Sequence, residues 1–149
     1  MKYLDTSWFH EMEGKSYPLE KVRILLAFYL AWALKNGLGG DLHTIDNKLS
    51  YDKLSHGSIT PLKYYQSCDD KITDEDFNKE GNSFSKEYLK ELYFEDYVYA
   101  LRNEVSEEEL FEVDDTWENY NKLAKVIDRR FANWKSGKDL KKLWWQFWK

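Results

Sequence analysis

The densest run of chemistry-bearing side chains is Cys68 to Asp76, a thiol followed by Asp69, Asp70, Asp74, Glu75 and Asp76. Closely spaced carboxylates invite a calcium reading. A calcium loop needs a glycine at its sharp turn and a bidentate glutamate at its twelfth position. Both are missing, so no metal is assigned. Cys68 is the only cysteine and cannot close an internal disulfide; nothing around it marks a catalytic thiol, and a half-buried spectator fits better. His10 lies beside Trp8 without a second ligand-type residue at metal spacing. The chain has no glycine-rich phosphate loop, no paired-cysteine motif and no histidine pair at zinc spacing. No cofactor is expected. Carboxylate pairs for hydrolysis are usually distant in sequence, so Asp69, Asp96 or Asp128 converging on His10 stays open as an alternative, enzymatic reading.

What the carboxylates do instead is crowd together. Between Asp69 and Glu118 there are 18 acidic and 5 basic residues, a local balance of −13. From Arg129 to Lys149 the balance is +6. The whole chain carries −5, a sign that repels nucleic acid and anionic membranes and attracts basic partners. Solvated helix faces and acids favoured at helix N-termini account for part of this. The functional reading is an acidic surface that steers a basic protein into contact. The candidate contact residues are Asp69, Asp70, Asp74, Glu75, Asp76, Glu80, Glu107, Glu108, Glu109, Asp114 and Asp115.

These side chains must be held by helices. The chain is 149 residues long, the size of one domain, and its aromatic content of 17% argues for a packed core. Leu19 to Leu34 is the organising element: from Ile24 to Leu34 no side chain is charged, and only the Tyr29 hydroxyl is polar. A helix that is apolar all round must be covered all round. Pro18 suits its first position, and Asn36-Gly37 its end. The apolar run is 11 residues, short of the ~20 that cross a membrane. With no signal-like N-terminus and one cysteine, a cytoplasmic setting is expected.

Around this pillar the pattern predicts an all-α, single-domain bundle of about five or six helices, with room for a minor strand pair. Residues 1–17 read as irregular or briefly ordered, a flap packed through Trp8, Phe9 and Tyr17. Residues 36–60 form a polar connection with a short helix near Asp46 to Leu54. Thr60-Pro61 opens a helix to about Cys68. Thr73 caps a short helix ended by Gly81-Asn82, and Phe84 to about Asn103 reads as one long helix. Ser106 with Glu109 makes a second capping box, and Leu110 to Val113 a helical turn or short strand. Thr116 caps a helix from Trp117 to about Lys135, whose stripe of Tyr120, Leu123, Ala124, Ile127, Phe131 and Trp134 faces the core. Ser136-Gly137 stops it. The tail 138–149 is basic and tryptophan-rich. It suits packing on the body, a partner or dimer contact, or a membrane-surface helix.

Several runs resemble a bacterial family of small soluble proteins. They are Trp8 with His10, FYLAWALKNGL from Phe28, CDDKITDEDFNKEGNSF from Cys68, Tyr97 after Asp96, and WENYNKLAKVIDRRFANWK from Trp117. Together they cover most of residues 3–135; the tail lies outside the pattern. Members resemble immunity proteins of polymorphic or contact-dependent growth inhibition toxins. The resemblance implies a non-enzymatic cytoplasmic binder of a cognate toxin domain and makes the polar stretch from Asp69 to Asn82 the best candidate for a family-specific surface; the acidic charge suits a nuclease, whose cleft is basic to hold phosphates. Trp32, Phe84, Trp117, Tyr120, Phe131 and Trp134 read as core, and Asp128 and Arg130 as partners for other helices. An adaptor using the tryptophan-rich tail remains the other alternative. Oligomeric state is left open.

Overall fold

The computed structural model describes residues 2–5, 18–68, 71–101 and 113–140. Within them the chain is mostly helical, with one small two-stranded antiparallel sheet. The order is β1 (Lys2–Asp5), α1 (Leu19–Lys35), α2 (Asp41–Thr44), α3 (Lys48–Ser55), α4 (Pro61–Tyr65), β2 (Lys71–Thr73), a 3-10 turn (Asp74–Asp76), α5 (Lys79–Tyr88), α6 (Tyr93–Leu101) and α7 (Trp117–Lys135). The expected flap, Trp8, His10, Ser106, Leu110 and the tail from Lys141 lie outside the described residues.

Helix α1 is the pillar the apolar run requires. Val22 and every residue from Ile24 to Leu34 are buried. Pro18 stands one position earlier than expected, as the N-cap, where its carbonyl accepts the N–H groups of Lys21 and Val22. Asn36 is the C-cap and Gly37 follows at a positive φ of 73°, the left-handed geometry that glycine adopts without strain.

Aromatic rings fill the space between α1 and its jacket. Tyr29 sits within 5.1–6.0 Å of the rings of Trp32, Phe77, Tyr88 and Tyr93. Trp32 meets Phe84 and Phe131, and its indole N–H donates to Asp128 Oδ1 at 2.8 Å. Buried tyrosines need a partner for the hydroxyl. Tyr29 bonds Ser85 at 2.7 Å, Tyr93 donates to the Leu25 carbonyl, and Tyr88 donates to Asp96 Oδ2 at 2.8 Å.

Asp96 and Arg130 form the main polar joint. Both are buried; Arg130 Nε and Nη2 donate to the two carboxylate oxygens at 2.8 and 2.9 Å, tying α6 to α7. Arg130 Nη1 donates to the Leu140 carbonyl at 2.9 Å. The sequence reading of Arg130 as an inter-helix partner is correct, whereas Asp128 accepts a hydrogen bond from Trp32 rather than pairing with a cation.

The minor strand pair is present: residues 2–5 are a strand, registered Lys2 to Thr73, Leu4 to Ile72 and Asp5 to Lys71. Three expectations need correction. The second capped helix stops at Tyr65. Gly81-Asn82 does not end a helix but lies inside α5, which Asn78 caps by accepting the Gly81 N–H at 2.9 Å. Gly81 is there because the helix presses on its neighbours: a Cβ would stand 2.6 Å from the Leu38 carbonyl oxygen and 2.9 Å from Phe77 Cβ. The long helix expected from Phe84 to Asn103 is two, α5 and α6. The chain turns at 89–92 and so brings together Tyr88 and Asp96, which a straight helix would hold about 12 Å apart along its axis. The shorter helix near Asp46 to Leu54 is present as α3, preceded by the unexpected turn of α2.

Candidate functional site

The loop that leaves α1 carries Gly39-Gly40, and Gly40 is where two backbones meet. A Cβ there would lie 2.8 Å from the Glu75 carbonyl oxygen and 3.0 Å from that of Phe77. The Gly40 N–H donates to the Asp76 carbonyl at 3.0 Å, and Gly39 bridges Phe77. This contact seats α2 beside the 3-10 turn. It turns Asp41 and Leu42 outward and His43 inward.

His43 is 1% exposed. Its Nε2 bonds Asp76 Oδ1 at 2.7 Å and its Nδ1 bonds the Tyr64 hydroxyl at 2.5 Å. Asp76 is also occupied on its other oxygen, which accepts the Thr73 N–H at 2.8 Å and completes the capping box of the 3-10 turn. Burial pushes the Tyr64 hydroxyl well above its ordinary value, so it stays protonated. Both ring nitrogens are satisfied within the protein. The triad joins α2, α4 and the 3-10 turn, and no ring nitrogen is left to act on a substrate.

Above this joint an open cleft of about 570 Å³ is walled by Asp46, Asn47, Cys68, Lys71, Asp74 and Glu75, among others. It adjoins a second hollow of about 450 Å³ at the foot of α2. Asp41, Asp46 and Glu75, all exposed, line that hollow with Leu42, and among the described residues no cation lines it. Lys71 lines the larger cleft, as does Lys2, which is paired with Asp5 at 2.5 Å. The Cys68 thiol is directed to the Tyr64 carbonyl at 3.7 Å. Among the described residues no group of three or more histidine, cysteine, aspartate or glutamate side chains is placed to hold a metal.

The sequence-derived candidates divide. Asp74 and Glu75 reach the cleft. Asp76 does not present itself as a contact, because its side chain is buried and committed to His43 and Thr73; it is removed from the list of surface residues. Glu80 is exposed on the first turn of α5, outside both hollows. Asp114 pairs with Lys21 at 3.6 Å, and Asp115 Oδ1 accepts the Leu62 N–H at 3.1 Å at the start of α4. Asp69, Asp70, Glu107, Glu108 and Glu109 lie outside the described residues. Of the carboxylates offered for the enzymatic alternative, Asp96 is locked to Arg130 and Asp128 bonds Trp32, and neither lines the cleft. Asp69 and His10 are outside the described residues.

Sequence reasoning missed Asp41, Asp46 and His43. Asp41 and Asp46 precede the dense acidic run and join it only through the Gly40 contact. His43 and Asp76 are 33 residues apart, too far for any local pattern to relate them. No described helix is long and apolar enough to cross a membrane.

No curated protein and no solved structure matches this chain. A family model does match, over residues 2–113, three quarters of the length. The chain belongs to the family described as a domain of unknown function, DUF7832.

Proposed function

We propose that the chain is an immunity-type inhibitor. It binds a basic toxin domain, a nuclease, in the cytoplasm and covers its active site without doing chemistry. The observation that carries this reading is the hollow at the foot of α2, where the exposed carboxylates of Asp41, Asp46 and Glu75 gather with no cation among the described residues that line it. A nuclease cleft is basic because it holds phosphates. Carboxylates gathered on one surface steer such a cleft into register and raise the association rate by ~10-fold or more at low salt. The buried polar groups support the same reading from the other side. His43, Asp76, Asp96 and Arg130 all spend their hydrogen-bonding capacity inside the fold.

The test is association with a purified, catalytically silenced nuclease toxin domain whose cleft is basic; the genes adjoining this one are the first place to seek it. Neutralising the hollow by Asp41→Asn, Asp46→Asn and Glu75→Gln lowers the association rate ~10-fold and flattens its salt dependence. It also weakens protection of cells that express the toxin. A rate and salt dependence equal to those of the unaltered chain reject the hollow as the steering surface.

A further inference from the structure

Three large aliphatic side chains stand out on the surface beside the hollow. Leu42 is 43% exposed, Ile45 64% and Leu49 83%. Among the described residues the other exposed large apolar side chains are Leu19 and Tyr99, so three of five fall within eight consecutive residues. They sit on α2, on the turn that follows it and on the first turn of α3. Clustered exposure of this kind marks a contact surface rather than the scatter of single apolar residues on ordinary surfaces.

We infer that this ridge is the apolar centre of a docking surface, and that its occupant is a basic protein surface carrying its own apolar patch. The inference rests on the inhibitor reading and names its contact. Charge selects the occupant. Asp41 and Asp46 lie on the same segment as the ridge, and Glu75 faces it across the hollow that Leu42 also lines. A lysine or arginine side chain entering the hollow meets three carboxylates while the surrounding surface settles on Leu42, Ile45 and Leu49. Lys48 lies between Ile45 and Leu49, but it faces Asp52 at 3.5 Å. A second copy of this chain is a poorer occupant, since a two-fold contact sets each patch against itself and brings acid against acid.

The ridge is also held ready. Directly beneath it His43 fixes α2 to α4 and the 3-10 turn, and the Ile45 and Asp46 N–H groups both bond the Asp41 carbonyl at 3.0 Å. A surface already ordered before contact loses little freedom on binding.

Ile45→Ser with Leu49→Ser removes the most exposed part of the ridge, and Leu19→Ser is the control at an unrelated exposed leucine. Against a basic nuclease toxin domain that the unaltered chain binds, the double variant weakens binding ~30-fold or more, mostly through faster dissociation, with its salt dependence intact. The control binds as the unaltered chain does. If the double variant also binds unchanged, the ridge is not the contact and the inhibitor reading survives. If the unaltered chain binds no such domain, that reading falls. The ridge is then decided by nuclear magnetic resonance titration with a synthetic helical peptide, lysines on one face and leucines on the other. Shifts confined to residues 41–49 and Glu75 sustain a basic, apolar occupant, and shifts elsewhere overturn it. A dimer in sedimentation that the double variant converts to monomer also overturns it, since the ridge would then serve self-association.

Discussion

Replacing Asp96 by asparagine keeps the shape of the side chain and removes its charge. In the native fold the carboxylate takes two bonds from Arg130, at 2.8 and 2.9 Å, and one from Tyr88 at 2.8 Å. Both members of the pair are fully buried, so after substitution the guanidinium stays in the interior facing an amide that presents donors to its donors. Breaking a buried pair from one side costs about 3–5 kcal/mol. A domain's whole stability is about 5–15 kcal/mol, so the variant is expected near the edge of folding. Arg130→Met costs a similar amount, and it also frees the Leu140 carbonyl from its bond to Nη1. Changing both residues, Asp96→Leu with Arg130→Met, removes both charges and restores most of the loss, leaving the Tyr88 hydroxyl and the Leu140 carbonyl without these partners at about 1–3 kcal/mol. Urea unfolding followed by circular dichroism reads all three. With a slope of about 2 kcal/mol per molar, each single change lowers the midpoint by about 2 M and the double change by about half that or less. A loss below about 1 kcal/mol for Asp96→Asn, or a double variant as weak as the sum of the two singles, refutes the reasoning.

Two further predictions concern packing and pH. Gly81→Ala forces a methyl group against the Leu38 carbonyl oxygen at 2.6 Å and Phe77 Cβ at 2.9 Å, and it is expected to cost about 1–3 kcal/mol in thermal or urea unfolding; an unchanged midpoint would show that α5 can move away from the Leu38 loop. Burial raises Tyr29, Tyr88, Tyr93 and Tyr97 above their ordinary value of 10.0, so the folded state favours neutral phenols. Their contribution to stability is complete below pH 10 and is lost as pH climbs above it. In an alkaline titration followed by ultraviolet absorbance, these four ionise together with unfolding; ionisation at their ordinary value in a chain that is still folded contradicts the burial.

What the sequence could reveal depended on how local each signal was. Helix α1 was legible because eleven residues without a charge can only be interior, and its end was legible because Asn36-Gly37 suits a left-handed turn. The caps at Thr60, Thr73 and Thr116 were legible for the same reason: the capping oxygen and the N–H it accepts lie two or three residues apart. Gly81-Asn82 misled because glycine reads locally as a stop, while its role here is set by Leu38 and Phe77 pressing from another segment. The turn at 89–92 left no mark, since buried Leu89 and Leu92 continue the apolar pattern through it. The candidate site was half legible. Asp74 and Glu75 stood in the acidic run, but Asp76 differs from them in bonding both His43 and the Thr73 N–H, and of the two only the capping-box spacing from Thr73 is local. Leu42, Ile45 and Leu49 look like core residues by type, and only their exposure sets them apart.

The joint between Asp96 and Arg130 also bears on where the folding unit stops. The family model ends at residue 113, yet the cation that neutralises Asp96 arrives on α7, seventeen residues later. A fragment cut at that boundary would strand a carboxylate in the interior and uncover Trp32, whose indole is bonded to Asp128 and packed on Phe131. The stretch shared across the family is therefore shorter than the piece of this chain that can stand alone.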